Sequence, residues 1–270
     1  MESGMSLLDT CSKVYTSLQA KQPLVQCVTN YVSMELMANG LLAIGASPAM
    51  VHAEEEVEEF CHLADALLIN IGTLSQSWSL AMEKAVHRAN TLKKPWVLDP
   101  VGCGTTSFRT HFAKQLIQLN PAIIRGNASE IMALSGDSRP HGVDSQHTVK
   151  ESEAIADAIA QAQKCVVIVT GPVDYITDGH KKVYVENGSP LMTKVTTVGC
   201  MHGAIVAACL ACESDPFLAA VAATTMVGLA GENVPDGVLP GTFRVALVDN
   251  LASLSEETIR EKGRILEVVS

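Results

Sequence analysis

The 270-residue sequence predicts an α/β fold with a mostly parallel central sheet flanked by helices, and three features carry that expectation. Short apolar runs of strand length alternate with longer segments of helical period along most of the chain. Some of those runs, such as ALLI and CVVIV, are apolar at every position, as strands buried on both faces are. A single stretch departs from the alternation: YITDG and KKVYVENGSP, joined at Asp178-Gly179, read as a small β-hairpin. No linker-like segment divides the chain, so residues 1–270 are expected to form one domain.

In order, Leu7, Leu8, Cys11, Val14, Tyr15 and Leu18 mark an amphipathic first helix. PLVQCVT follows as a strand, SMELMANGLLAIG as a helix, AMV as a turn, and EEVEEFCHLA as a short helix. ALLINIG is a strand and SWSLAMEKAVHRANTL a helix; WVLD then leads to the helix FRTHFAKQLIQL, and AIIRG to ASEIMALSG. After a polar segment near 136–150, the helix ESEAIADAIAQAQ precedes the strand CVVIVT and the hairpin. From Gly199 onward the chain reads as mainly helical, through CMHGAIVAACLA, DPFLAAVAATTMVGLAGEN and TFRVALVDNLASL.

Composition narrows the function classes. Hydrophobic residues are 47% of the chain and charged ones 18%, ample for a core, yet no apolar run reaches the roughly 18 to 20 residues of a membrane span. With no basic region ahead of an apolar core at the N-terminus, a soluble, cytoplasmic protein is expected. A net charge of −10 and no basic run argue against nucleic acid as a partner. The eight cysteines lack the Cys/His clustering of a zinc site and read mostly as reduced, buried small hydrophobes.

Ligands of open α/β sheets gather at the carboxyl ends of strands, which directs attention to CVTNYV, NIGTL, LDPVGCG, IRGNASE, VTGPVD and the opening TTVGC. Asp99, followed by Gly102 and Gly104, is either a plain Asp-Pro turn or a carboxylate facing a ligand. Asn127 and Glu130 have capping-box spacing, the stronger reading taken alone, and the functional alternative is that Glu130 holds magnesium through water. Arg125 is a candidate phosphate clamp and Thr170 a candidate phosphate contact. Cys200 stands at the start of a helix, at N1 or the N-cap, where exposed N–H groups favour an anion and lower a thiol pKa. His202 points to another helix face and reads as packed or exposed, and Cys209 and Cys212 as packing.

Taken together, TNYVSMELMANGLLAIGASPAM, INIGTLS, VLDPVGCG with TSFRT, IRGNASEI, TGPVDYITDG, TKVTTVGC and LPGTF resemble the hydroxyethylthiazole kinase family of the ribokinase-like superfamily. The resemblance runs along nearly the whole chain. It implies a ribokinase-like fold, ATP and Mg2+, phosphorylation of 4-methyl-5-(2-hydroxyethyl)thiazole in thiamin salvage, and a homotrimer with active sites between subunits. Residue by residue, it implies a thiazole pocket at Asn30, Val32 and Met50, nucleotide contacts at Arg125 and Thr170, and magnesium-side carboxylates at Asp99 and Glu130. Cys200 falls where most of the superfamily has an aspartate base, which implies an orienting residue and weak base. Thr197 and Gly199 fall on the substrate-side anion loop, where the family usually reads Gly-Ala-Gly-Cys. A threonine in place of that first glycine costs on the order of 1 to 3 kcal/mol if the position needs a positive φ. Cys103, where alanine is common, would add a redox-sensitive thiol. The competing expectations are a weakly active or non-catalytic ligand-binding homologue, and a kinase of another small heterocyclic alcohol. A cysteine hydrolase ranks last, since no histidine is placed as a base for Cys200.

Overall fold

The computed structural model describes residues 6–136 and 145–268. Among these, the elements run α1 (Leu7–Lys21), β1 (Leu24–Val28), α2 (Met34–Ala43), β2 (Ser47–Ala49), α3 (Val57–Leu63), β3 (Ala66–Asn70), α4 (Gln76–Thr91) and β4 (Trp96–Asp99). They continue with α5 (Ser107–Ile117), β5 (Ile123–Asn127), α6 (Ala128–Ser135), α7 (Ser145–Gln163), β6 (Val166–Thr170), β7 (Asp174–Thr177) and β8 (Lys182–Val185). After a 3₁₀ turn at Pro190–Lys194 come α8 (Val198–Leu210), α9 (Pro216–Glu232), α10 (Pro240–Ala252), α11 (Glu256–Lys262) and β9 (Ile265–Glu267).

The described strands form one nine-stranded sheet in the order β2-β1-β3-β4-β5-β6-β7-β8-β9, parallel from β2 through β6 and antiparallel beyond. Strand alternation distributes the core to both sides. Leu68, Val97, Ile123, Val166 and Ile168 pack with α1, α2 and the helices after Thr197, while Leu67, Ile69, Leu98, Ile124 and Val167 pack with α3 to α7. Burial on both faces is why these strands read as unbroken apolar runs. The helices α8 and α9 are apolar all round because both lie inside the molecule, packed against each other and against the sheet. Side-chain caps start many of the helices: Ser6, Ser75, Thr106 and Asp215 each accept an N–H of the first turn, and Asn127 and Glu130 form the expected capping box.

Four boundaries differ from the sequence expectation. The AMV segment is not only a turn, since Ser47–Ala49 pairs parallel with β1, but three residues are too few to show alternation. β9 adds an antiparallel edge to β8 within the region expected to be helical, for the same reason. The hairpin is present, with a four-residue connection, Asp178 to Lys181, in place of a tight Asp-Gly pair; Asp178 Oδ1 accepts the His180 and Lys181 N–H groups at 2.8 and 2.6 Å. α7 begins at Ser145, ahead of Glu151, and the rest of the polar segment, residues 137–144, lies outside the described residues. All eight cysteines are free thiols.

Candidate active site

Successive parallel strands deliver the candidate residues to one edge of the sheet. Asn30 follows β1, Asn70 ends β3, Asp99 ends β4, Arg125 lies in β5 with Glu130 just beyond it, and Thr170 ends β6. The register pairs Asn70 with Asp99 and Asn127 with Thr170, so these ends are level. The amino end of α8 closes over them, bringing Gly199 against the Arg125 guanidinium and Gly203 against the Asp99 carboxylate.

On one side stand Asn30 and Cys200. Asn30 is buried, its Oδ1 accepts the Val32 and Ser33 N–H groups at 3.1 and 3.0 Å, and its Nδ2 donates to Cys200 Sγ at 3.6 Å. Val32 is 58% exposed and its neighbour Tyr31 66%, while Met50 is half-buried against the core. Val32 is thus open to solvent in the single chain, and Met50 lies against the core.

On the other side, Arg125 Nη2 donates to Thr170 Oγ1 at 3.2 Å and Nη1 stands 3.7 Å from Asp99 Oδ1, an ion pair too long for a hydrogen bond. Asp99 is fully buried; Asn70 donates to its Oδ2 at 2.7 Å, and Oδ1 has no hydrogen-bond donor. Burial lifts the Asp99 carboxyl to about 7, with Arg125 and Asn70 pulling it down and Glu130 adding to the rise. Glu130 serves two roles at once. Its Oε2 accepts the Asn127 N–H in the capping box, and its Oε1 accepts the Gly102 N–H of the glycine loop, both at 2.9 Å. Among the described residues no group of three or more His, Cys, Asp or Glu side chains would cage a metal alone. Two carboxylates, one with an orphaned buried oxygen, do fit a hard divalent ion that takes its remaining ligands from water and phosphate.

Two sequence expectations for the helix start are corrected. Cys200 is at N3, because Thr197 is the N-cap. Its thiol is not lowered: burial, reinforced by Asp99, pushes it up to about 11, although Asn70, Arg125 and Asn30 oppose the rise. Fewer than about one thiol in a thousand is ionised at neutral pH with such a value, so Cys200 enters the site as a neutral S–H. Cys103 is buried too, and burial raises its thiol as well.

Thr197 has φ 70 and ψ 1, a left-handed conformation, and makes no side-chain cap bond. The glycine expected there is explained by this geometry, and the threonine carries strain. Thr197→Gly is expected to raise stability by up to about 2 kcal/mol, relief of the strain being partly offset by the freer unfolded chain. Denaturant midpoints of the two proteins would show it.

Asn70 escaped the sequence reading, although its motif NIGTL was in view. An asparagine closing a strand is also a common turn residue, and only the register beside Asp99 distinguishes the two. His202 is buried, not exposed; its Nε2 lies 3.1 Å from Thr224 Oγ1, and burial holds it well below the usual histidine range. It is a packed neutral residue.

The Hydroxyethylthiazole kinase family matches residues 15–257. A hydroxyethylthiazole kinase of Rhizobium rhizogenes is 48% identical over 264 residues, spanning 96% of this chain and 98% of that protein. One from Cereibacter sphaeroides is 46% identical over 260 residues, with 96% and 99% covered. Among solved structures, the hydroxyethylthiazole kinase protein of Pyrococcus horikoshii OT3 superposes with a TM-score of 0.89 at 39% identity, covering 96% of this chain and 99% of that one. The pyridoxal kinase of Staphylococcus aureus shares the fold at a TM-score of 0.62 and 16% identity, over 91% and 98% of the two chains.

Proposed function

The chain belongs to the hydroxyethylthiazole kinase family, and on that premise we propose that it transfers the γ-phosphoryl group of ATP to the hydroxyl of 4-methyl-5-(2-hydroxyethyl)thiazole, a step of thiamin salvage. The fold is ribokinase-like. The observation that carries the reading is one juxtaposition: beneath the start of α8, the polar pair Asn30 and Cys200 adjoins the Arg125 guanidinium and its buried partner Asp99.

The acceptor hydroxyl sits beside Cys200, with Asn30 at its flank and Val32 and Met50 against the thiazole ring. Cys200, as a neutral thiol, orients the hydroxyl and does not accept its proton, which passes to a phosphate oxygen or to water as the new O–P bond forms and the bond to the departing ADP breaks. A loose transition state tolerates this, because the alcohol becomes acidic only as its oxygen bonds to phosphorus. The transferring group lies at the mouth of α8, whose first N–H groups lack intrahelical partners and carry the positive end of the helix dipole. Arg125, pre-positioned by Thr170 and Asp99, supplies the matching cation. Asp99 and Glu130 would hold Mg2+, which would draw charge off the phosphate oxygens. Thr197 and Gly199 shape the loop between ring and phosphate.

The active unit is a cytoplasmic homotrimer of one-domain chains with sites between subunits. The exposure of Tyr31 and Val32 beside Asn30 supports this, since a neighbouring subunit would complete the apolar wall. No described helix is long and apolar enough to cross a membrane.

A substrate panel assayed by mass spectrometry tests the reading. Thiazole alcohol with ATP and Mg2+ should gain one phosphate far faster than pyridoxal or a pyrimidine alcohol, and preference for either of those would sink the assignment. Within the same assay, Cys200→Ala is expected to lower kcat about tenfold or more while the affinity for ATP changes less than about threefold. Full activity in that variant would remove Cys200 from the mechanism and leave the kinase assignment standing.

A further inference from the structure

A chain of side-chain amides crosses the site from the alcohol side to the metal side, and its direction is fixed by what each end touches. Asn30 Oδ1 is committed to two backbone N–H groups, Val32 and Ser33, so its Nδ2 must face away from them. That Nδ2 donates both to Cys200 Sγ and, at 2.8 Å, to Asn70 Oδ1. Asn70 Oδ1 also accepts the Gly72 N–H at 3.0 Å, which commits the Asn70 amide in turn. Its Nδ2 is left to donate to Asp99 Oδ2. Flipping either amide would set donor against donor or acceptor against acceptor, so the chain has one orientation. Asn70 is fully buried and has no access to solvent. The backbone is built around the contact. A Cβ on Gly72 would stand 2.7 Å from Asn30 Nδ2 and 2.8 Å from Asn30 Cβ, so the glycine is what lets Asn30 reach Asn70.

We propose that Asn70 is a positioning residue for the transfer step, setting the distance and direction between the acceptor group at Asn30 and Cys200 and the phosphate-side carboxylate Asp99. The role rests on the kinase reading above and deepens it. Asn70 touches neither substrate; it acts through the two side chains that it holds. Its loss therefore spares the binding of each substrate and damages their mutual alignment. Misplacement by about 1 Å is enough to cost on the order of a hundredfold in rate.

The test uses the full chain with Asn70→Ala, Asn70→Asp and Gly72→Ala. Asn70→Asp keeps the shape and the acceptor toward Asn30 and Gly72, and sets a second carboxyl against Asp99 in place of the donor. Gly72→Ala leaves Asn70 intact and displaces Asn30. The measurements are kcat, KM for thiazole alcohol, KM for ATP, and the calorimetric Kd of ADP and of thiazole alcohol, with thermal unfolding to restrict comparison to folded protein. The expected result is a fall in kcat of roughly 10- to 100-fold in the folded variants; both KM values and both Kd values stay within about threefold of the parent in the Asn70 variants, whereas Gly72→Ala, which displaces Asn30, also weakens thiazole alcohol and leaves ATP and ADP within about threefold. An unchanged kcat in any folded Asn70 variant, or a loss carried wholly by KM, overturns the proposal. The Gly72 variant decides the matter if both Asn70 variants fail to fold: its kcat should fall likewise, and an unaltered kcat there overturns the role. A parent protein inactive on thiazole alcohol overturns the kinase reading and this role with it, whereas an active parent with unaffected variants overturns this role alone.

Discussion

Asp99→Asn is expected to lower kcat by on the order of 100- to 1000-fold, and to do so without lowering stability at alkaline pH relative to its value in acid. The first half follows from charge. The substitution removes the one fully buried carboxylate at the phosphate end, the counter-ion of Arg125, and the orphaned oxygen suited to a hard cation. The second half follows from burial, the largest cause of the raised Asp99 pKa of about 7. An acid whose pKa is higher folded than unfolded costs the native state when it ionises. That cost begins as pH rises through the unfolded value near 4, grows until the folded value near 7, and is complete above it. The parent protein should thus lose stability relative to the asparagine variant between about pH 4 and 7, read as diverging unfolding temperatures. Magnesium affinity of the parent should rise over the same interval, since the ion needs the ionised carboxylate. Curves that stay parallel across it would mean that Asp99 is not buried as an acid.

Gly199→Ala should separate stability from nucleotide binding in the other direction. Gly199 lies in the first turn of α8, where alanine favours a helix over glycine by up to about 1 kcal/mol. Its new Cβ, however, would sit 2.7 and 2.8 Å from the two terminal nitrogens of Arg125. The guanidinium is the movable partner, so it must leave its place against Thr170 and the helix mouth. The variant is expected to melt no lower than the parent while its KM for ATP rises about 10-fold or more, the cost of one misplaced charge-assisted contact. Steady-state kinetics at several ATP concentrations beside a thermal melt would check both. An unchanged KM would mean that Arg125 does not need that position to bind the nucleotide.

Much of this site was legible in the sequence, because strand ends in an α/β sheet are marked by apolar runs stopping at polar residues. Asp99, Arg125 and Thr170 stand at such stops, with Glu130 in the helix that follows β5, and the sheet brings them to one edge. For Asn127 and Glu130 the capping box is present, one Glu130 oxygen completing it while the other tethers the glycine loop; the metal role of Glu130 belongs to the proposal. The pKa of Cys200 was not legible. Proximity to a helix amino end is visible in a sequence, whereas burial beside Asp99 depends on how α8 lies across β3 and β4, and burial is the larger effect. Thr197 shows the reverse. Its positive φ was foreseeable from the glycine usual at that place, and the structure bears out the strained conformation. The three-residue strands β2 and β9 were missed because their identity lies in pairing with neighbours and not in local pattern.

In the proposed reaction one helix mouth joins an alcohol site at Cys200 to a phosphate site at Arg125. A crystal structure of the protein with thiazole alcohol, Mg2+ and a non-transferable ATP analogue tests it most directly. The substrate hydroxyl should lie within hydrogen-bonding reach of Cys200 Sγ, facing a terminal phosphate held between Arg125 and the N–H groups of Gly199 and Cys200. A thiazole bound with its hydroxyl away from Cys200, or a terminal phosphate outside the reach of Arg125, would contradict the account.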